Sequence, residues 1–260
     1  IGSADASWIR FDATFGPQLR RVPSLSLTFM GFTVDRPPFD DARVRQAFGA
    51  AVDWPRVIAL ASSGDDVPAD SMVPPGIPGG GDRNWLPIHD PARARSLLAA
   101  AGYPAGAGFP LITFAPAGIG SAEGIVEDLR RELGVTVRLE DLSDHFGRLR
   151  DDPPAMWSLG WVADYPGAND FLGVLLGTGS SNNYGRWTSP SFDAAIAAAL
   201  ATRDPNQALA AYERALAVVQ DQVPVVPLAY GDGWALAREG LLGADQNGLG
   251  IMRLAGLAWQ

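Results

Sequence analysis

Cysteine is missing from all 260 residues, which removes disulfides, thiolate metal sites and cysteine nucleophiles together. Lysine is missing too. Every one of the 20 basic residues is arginine, set against 29 acidic ones for a net charge of −9. A nucleic-acid binder needs a basic stripe to displace counterions from phosphates, and this chain has none. Histidine is scarce, at His89 and His145 alone. Without cysteine and without a G-x-S-x-G turn, a nucleophilic triad has no obvious seat. Neither HExxH nor a calcium-loop spacing occurs, so no metal site is expected. No apolar run reaches the roughly 18 residues that a membrane helix needs.

What is present is ordinary for a globular protein: 47% apolar and 19% charged residues. A chain of this length can bury about three quarters of its unfolded surface and needs no staples. Leu25-Ser-Leu-Thr-Phe-Met-Gly-Phe32 alternates like a strand,. Asp40 is placed to cap a helix through Val44, Ala47, Phe48 and Ala51, and Pro55 to open a shorter one,. Residues 62–88 read as a long Gly/Pro/Asp loop, a kind that often lines a binding site,. Asp90-Pro91, Ser189-Pro190 and Asp204-Pro205 each pair a capping side chain with a proline at a first helical turn,. Strands are expected over 111–115, 135–139, 157–162 and 225–230, and helices over 121–133 and 168–176. Strand and helix therefore alternate, which is an α/β pattern.

Most of the candidate chemistry has a plain reading. Asp40-Asp41, Asp65-Asp66 and Asp151-Asp152 are sequence neighbours that do not face one another, as caps and solvated turns do,. Gly118-Ile-Gly120-Ser-Ala-Glu-Gly124 follows a strand, opens a helix, and precedes Glu140-Asp141 at about the distance of a ribose-binding acid,. Its spacing is one residue longer than the commonest dinucleotide fingerprint, which counts against the match and leaves a dinucleotide-dependent enzyme as the alternative reading. Gly160-Trp161-Val-Ala-Asp164-Tyr165-Pro166 instead sets a large aromatic and a carboxylate at the end of an apolar strand. A carboxylate with aromatic walls can hold an ammonium group or another cation. The competing reading makes Trp161 core and Asp164 a turn cap.

These segments resemble, in order, the solute-binding proteins of peptide and nickel ABC importers, the extracellular solute-binding protein family 5. The resemblance rests on Pro38-Phe39 with Asp41, Arg43-Val44-Arg45-Gln46-Ala47-Phe48 and Ala51-Val52-Asp53. It continues through Asp90-Pro91, Ala101-Gly102-Tyr103-Pro104, Gly160-Trp161 and Ala163-Asp164-Tyr165-Pro166. Asn182-Asn183-Tyr184, Phe192-Asp193, Tyr212 and Pro224 to Tyr230 complete the series. The resemblance implies an α/β, periplasmic-binding-protein type II-like fold, mostly one lobe of a two-lobed structure that closes about a hinge. On it, residues 1–37 end a segment of lobe I and cross the hinge, 38–226 form the second ligand-binding lobe, and 227–260 return to lobe I. The remainder of lobe I would be missing, and Ile1 an artificial or proteolytic start.

The function so implied is reversible capture of a peptide or similar small solute for a membrane ABC permease, without chemistry, cofactor or metal. The location implied is periplasmic or extracellular, with a lipid anchor through a missing N-terminus as one form. Asp164 matches the aspartate that holds a peptide's α-ammonium, and Trp161 a tryptophan that walls the cleft. Tyr165, Asn183 and Tyr184 are implied linings. Ser158 stands where some oligopeptide binders carry an arginine for the ligand carboxylate. A sensory module built on the same lobe is a further alternative.

Overall fold

The computed structural model describes residues 3–61, 67–81, 87–117, 119–120, 122–244 and 246–260. Its first half runs α1 (Ser3–Ile9), β1 (Leu19–Phe32), α2 (Ala42–Ala51), α3 (Trp54–Ala61), β2 (Val67–Pro68), α4 (Pro91–Ala100), β3 (Ile112–Ala115), α5 (Ala122–Leu133) and β4 (Val137–Leu139). Then come α6 (His145–Asp151), β5 (Met156–Val162), α7 (Ala168–Phe171), α8 (Gly173–Leu176), α9 (Pro190–Ala201), α10 (Pro205–Gln222), β6 (Val225–Leu236), β7 (Leu241–Leu242) and β8 (Ala258–Trp259).

Helix starts follow local chemistry. The Asp90 side chain accepts from Arg93 N, Ser189 from Phe192 N, and Asp204 from Asn206 N and Gln207 N, each with a proline at the first turn. These contacts satisfy amide groups that have no partner inside the helix. Asp41, not Asp40, caps α2. Asp41 sits in extended backbone and reaches Arg43 N, whereas Asp40 closes the preceding turn through its own N–H to Arg36 O.

Six strands form one sheet in the order β2-β6-β1-β5-β3-β4. β1 is antiparallel to both β5 and β6, and β3 is parallel to both β4 and β5. β1 and β6 are longer than their alternation suggests. Residues 19–23 pair with 232–236, beyond an irregular stretch between Pro23 and Leu27. Because side chains alternate across a strand, β1 feeds two cores. Met30 and Phe32 pack with Val44, Phe48 and Trp54 and with Leu98 and Leu129, from α2, α3, α4 and α5. Leu27 and Phe29 pack on the other face with Phe171, Leu175, Phe192, Ala215 and Val219, from α7 to α10. The result is a sheet between two helical layers, the arrangement expected where parallel strands are covered on both faces.

Two buried charges tie helices together, Arg45 across the layers and Asp128 within one. Arg45 donates from Nε to Gln222 O at 2.9 Å and from Nη1 to Phe39 O at 2.6 Å, so it satisfies carbonyls at the end of α10. Burial lowers its pKa to about 10. Asp128, 0% exposed, accepts from Asp53 N, Arg56 Nη2 and Arg131 Nη2, and thereby ties α5 to the start of α3. Among the described residues no helix is long and apolar enough to cross a membrane.

Candidate functional site

Parallel pairing delivers the C-terminal ends of β4, β3 and β5 to one edge of the sheet. Open α/β sheets bind ligands at such an edge, where loops leave the strands and helix N-termini arrive. Ser158, buried in β5, joins those loops. Its hydroxyl accepts from Ala117 N at 2.6 Å and donates to Ala117 O at 2.8 Å, while its carbonyl accepts from His145 Nε2 at 2.9 Å. Ser158 is thus spent on the scaffold, and so is His145; His89 lies exposed ahead of α4.

The last turn of β5 opens onto this edge. Trp161 is half-buried and packs against the second core, and Asp164 is exposed. Asp170 at the start of α7 holds both. Its Oδ2 accepts from Trp161 Nε1 at 3.2 Å and from Asp164 N at 3.0 Å. Burial raises the Asp170 pKa above its ordinary value, against the two N–H donors, and the neighbouring Asp164 charge adds to the rise,. Tyr165 is exposed on the same shelf, and its phenol oxygen accepts from Asn169 Nδ2 at 3.0 Å. Gly167 leaves room for that ring, because a Cβ there would sit 2.8 Å from it. Tyr212 of α10 lies close by, its phenol pushed up by burial and by Tyr165.

Asp170 therefore joins Trp161 and Asp164, with Tyr165 next along the chain, whereas Asn183 and Tyr184 are held by other partners. The Asn183 amide donates to Leu176 O, Gly177 O and Trp187 O, and its oxygen accepts from Trp187 N. Tyr184 packs edge-on to Trp157 with ring centroids 6.1 Å apart. Trp157 is four residues back along β5 from Trp161, about 13 Å at the usual strand rise. Sequence reasoning missed Asp170. A carboxylate in the first turn of a helix is locally explained by the helix dipole, so nothing in the spacing announces that this one is buried and bonded back to Trp161 and Asp164.

Elsewhere, a cavity of about 500 Å³ lies between α2, α4 and α10, lined by Gln46, Gly49, Arg93, Gln220, Asp221 and others. It holds none of the corner residues, which form an open shelf. Of the glycine turn, Gly118 and Ser121 lie outside the described residues, as do Asp65 and Asp66 and parts of the 62–88 loop. Gly124 falls in the first turn of α5, but a Cβ there would meet only Val57 Cγ2 at 3.5 Å, so no close helix–strand approach requires a glycine at that position,. Among the described residues no three His, Cys, Asp or Glu side chains converge to hold a metal.

Comparison with known proteins gives a consistent picture. The family model for bacterial extracellular solute-binding proteins, family 5 (middle), matches residues 2–183. The dipeptide-binding protein of Escherichia coli is 27% identical over 243 residues, 89% of this chain and 45% of that protein. Heme-binding protein A of Haemophilus influenzae is 28% identical over 251 residues, 93% of this chain and 46% of that protein. Among solved structures, a dipeptide-binding protein from Pseudoalteromonas in complex with Met-Leu superposes with a TM-score of 0.82 at 26% identity, over 100% of this chain and 53% of that one. The chain spans about half the length of the curated relatives it matches.

Proposed function

The chain belongs to the bacterial extracellular solute-binding proteins of family 5, and from that membership we propose that it is part of the solute-capturing component of an ABC importer. The relatives are binding proteins for dipeptide, heme and glutathione, and the function follows their kind: reversible capture outside the cytoplasm, with no bond made or broken. The type II-like fold supplies one lobe and the crossing strands. On this reading residues 38–226 are the ligand-binding lobe. Residues 1–37 and 227–260 belong to the other lobe, which the rest of a longer protein completes and which closes over the ligand before delivery to the permease.

The observation that carries the reading is the exposed Asp164, whose backbone N–H shares the Asp170 carboxylate with the Trp161 indole N–H at the C-terminal end of β5. The Asp164 carboxylate would anchor the ammonium group of a peptide and the indole would wall it. Tyr165 borders the corner. Asn183 and Tyr184 act at a remove, by fixing the 180–187 turn against Trp157. A ligand that binds only the folded state raises its melting temperature by mass action.

The test is a thermal-shift series on the intact two-lobed protein with Met-Leu, free and N-acetylated. Free peptide is expected to stabilise and the acetylated form not to. Asp164→Ala in that protein is expected to cost about 2–5 kcal/mol of binding, as when one partner of a buried charge pair is removed. A calorimetric loss below about 0.5 kcal/mol, within the range of a neutral surface change, places the anchor elsewhere.

A further inference from the structure

Asp170 is 0% exposed, and no cation is among the groups that shift it. Its Oδ1 is buried without a hydrogen-bond partner among the described residues. A buried carboxylate with no counter-ion costs stability. The cost is not explained by capping. Gly167 holds the capping position of α7, and the Asp170 bonds run backward, out of the helix, to Trp161 Nε1 and Asp164 N. One oxygen thus joins the aromatic wall and the backbone of the exposed acid. An indole has two free torsions, and an N–H···O bond at its edge fixes the second. The bond to Asp164 N does the same for the peptide plane from which the Asp164 side chain departs.

We infer that Asp170 is a positioning residue for ligand capture. It holds the Trp161 ring and the Asp164 backbone in one shared geometry, and so sets the affinity of the corner without touching the ligand. This rests on the reading of that corner as the ligand site. A binding constellation depends on supporting groups that keep it within a fraction of an ångström of its working geometry.

The test is titration calorimetry of the intact protein with Met-Leu as probe. Asp170→Ala is expected to weaken binding at least about tenfold, the scale on which outer-shell partners act. Asp170→Asn keeps an acceptor oxygen for both N–H groups and restores most of the affinity. In a Trp161→Phe background the indole donor is gone, so Asp170→Ala then costs less than in the wild type, a coupling that a double-mutant cycle reads directly. A purely structural role predicts a lower melting temperature for Asp170→Ala with unchanged affinity of the folded protein. That outcome, or equal losses in both backgrounds, overturns the inference.

If the wild type does not bind Met-Leu, the ligand reading is at fault. The Trp161 indole N–H resonance in isotope-labelled protein, identified by its loss in Trp161→Phe, then decides the role of Asp170. It is expected to move in Asp170→Ala and to hold in Asp170→Asn; a resonance indifferent to both overturns the inference.

Discussion

Two regions of the chain treat their large apolar side chains in opposite ways. Between β1 and the start of β6, Trp54, Trp157, Phe32, Phe39, Phe48, Phe114, Phe171 and Phe192 are all fully buried. In the flanks, Trp8 is 60% exposed, Phe11 81% and Trp259 63%, and Phe15, Leu242, Ile251 and Leu254 are also open to solvent. Single exposed apolar residues such as Ile88 or Leu200 are normal on any surface,. A concentration of them in two short segments that flank the paired strands β1 and β6 is not. The middle also leaves scattered residues such as Leu60, Leu111 and Phe146 in water, but the flanks concentrate exposed apolar side chains within two short segments. Such surface marks an interface, and on the proposed division it faces the remainder of lobe I.

The contrast breaks most sharply where the middle depends on a single buried charge. Asp128→Ala is expected to cost about 3 kcal/mol, the lower end of the range for breaking a buried ion pair, because both arginine partners are partly exposed and can turn to water. Burial alone would raise the Asp128 pKa, but Arg56, the Asp53 N–H and Arg131 outweigh it and hold the carboxyl below its ordinary value. A depressed folded pKa contributes stability that is present above the unfolded value of about 3.9 and is lost as pH falls through the folded value. The gap between wild type and Asp128→Ala in urea unfolding is therefore expected to be full at pH 7 and to shrink below about pH 4. A gap of constant size across that range contradicts the linkage.

A smaller effect tests the packing of the sheet itself. A Cβ on Gly31 would lie 2.2 Å from the Trp157 ring, whereas one on Gly160, in the adjoining strand, meets nothing within 4 Å. Trp157 has Phe29 edge-on at 5.8 Å and Tyr184 at 6.1 Å, so its ring cannot swing aside. Gly31→Ala is expected to lose about 1–3 kcal/mol by overpacking and Gly160→Ala less than about 0.5 kcal/mol, both read from denaturant midpoints. Equal costs would mean that Trp157 has room that the packing denies it.

The same division separates what the sequence announces from what it hides. Helix starts at Asp90-Pro91, Ser189-Pro190 and Asp204-Pro205 were legible because a cap and its target amide lie within three residues. The outer halves of β1 and β6 were not. Pro23, Gly231 and Gly233 read locally as turn, and only pairing between residues some 200 apart makes them strand. At the site, Trp161 and Asp164 were visible as an aromatic and an acid ending an apolar strand. Asp170 was invisible because its burial is a tertiary fact. Asn183, a lining by resemblance, spends its amide on three carbonyls, partners that sequence spacing does not show.

The smallest effect is the most telling about the flanks. Phe11→Ser and Trp259→Ser remove side chains that the 260-residue chain leaves largely in water, so its stability should change by no more than about 0.5 kcal/mol. Phe48→Ser, in the middle, should cost about 3–5 kcal/mol by the measure of large core truncations. In the longer protein the order changes if the other lobe covers the flanks. There each flank substitution should cost about 1.5–3 kcal/mol, the value of fully burying such a side chain. Parallel denaturant titrations of the two lengths measure the difference. Flank variants that stay neutral in both would show that the exposed aromatics face something other than the proposed second lobe, and the proposed division at residues 37 and 227 would fall with them.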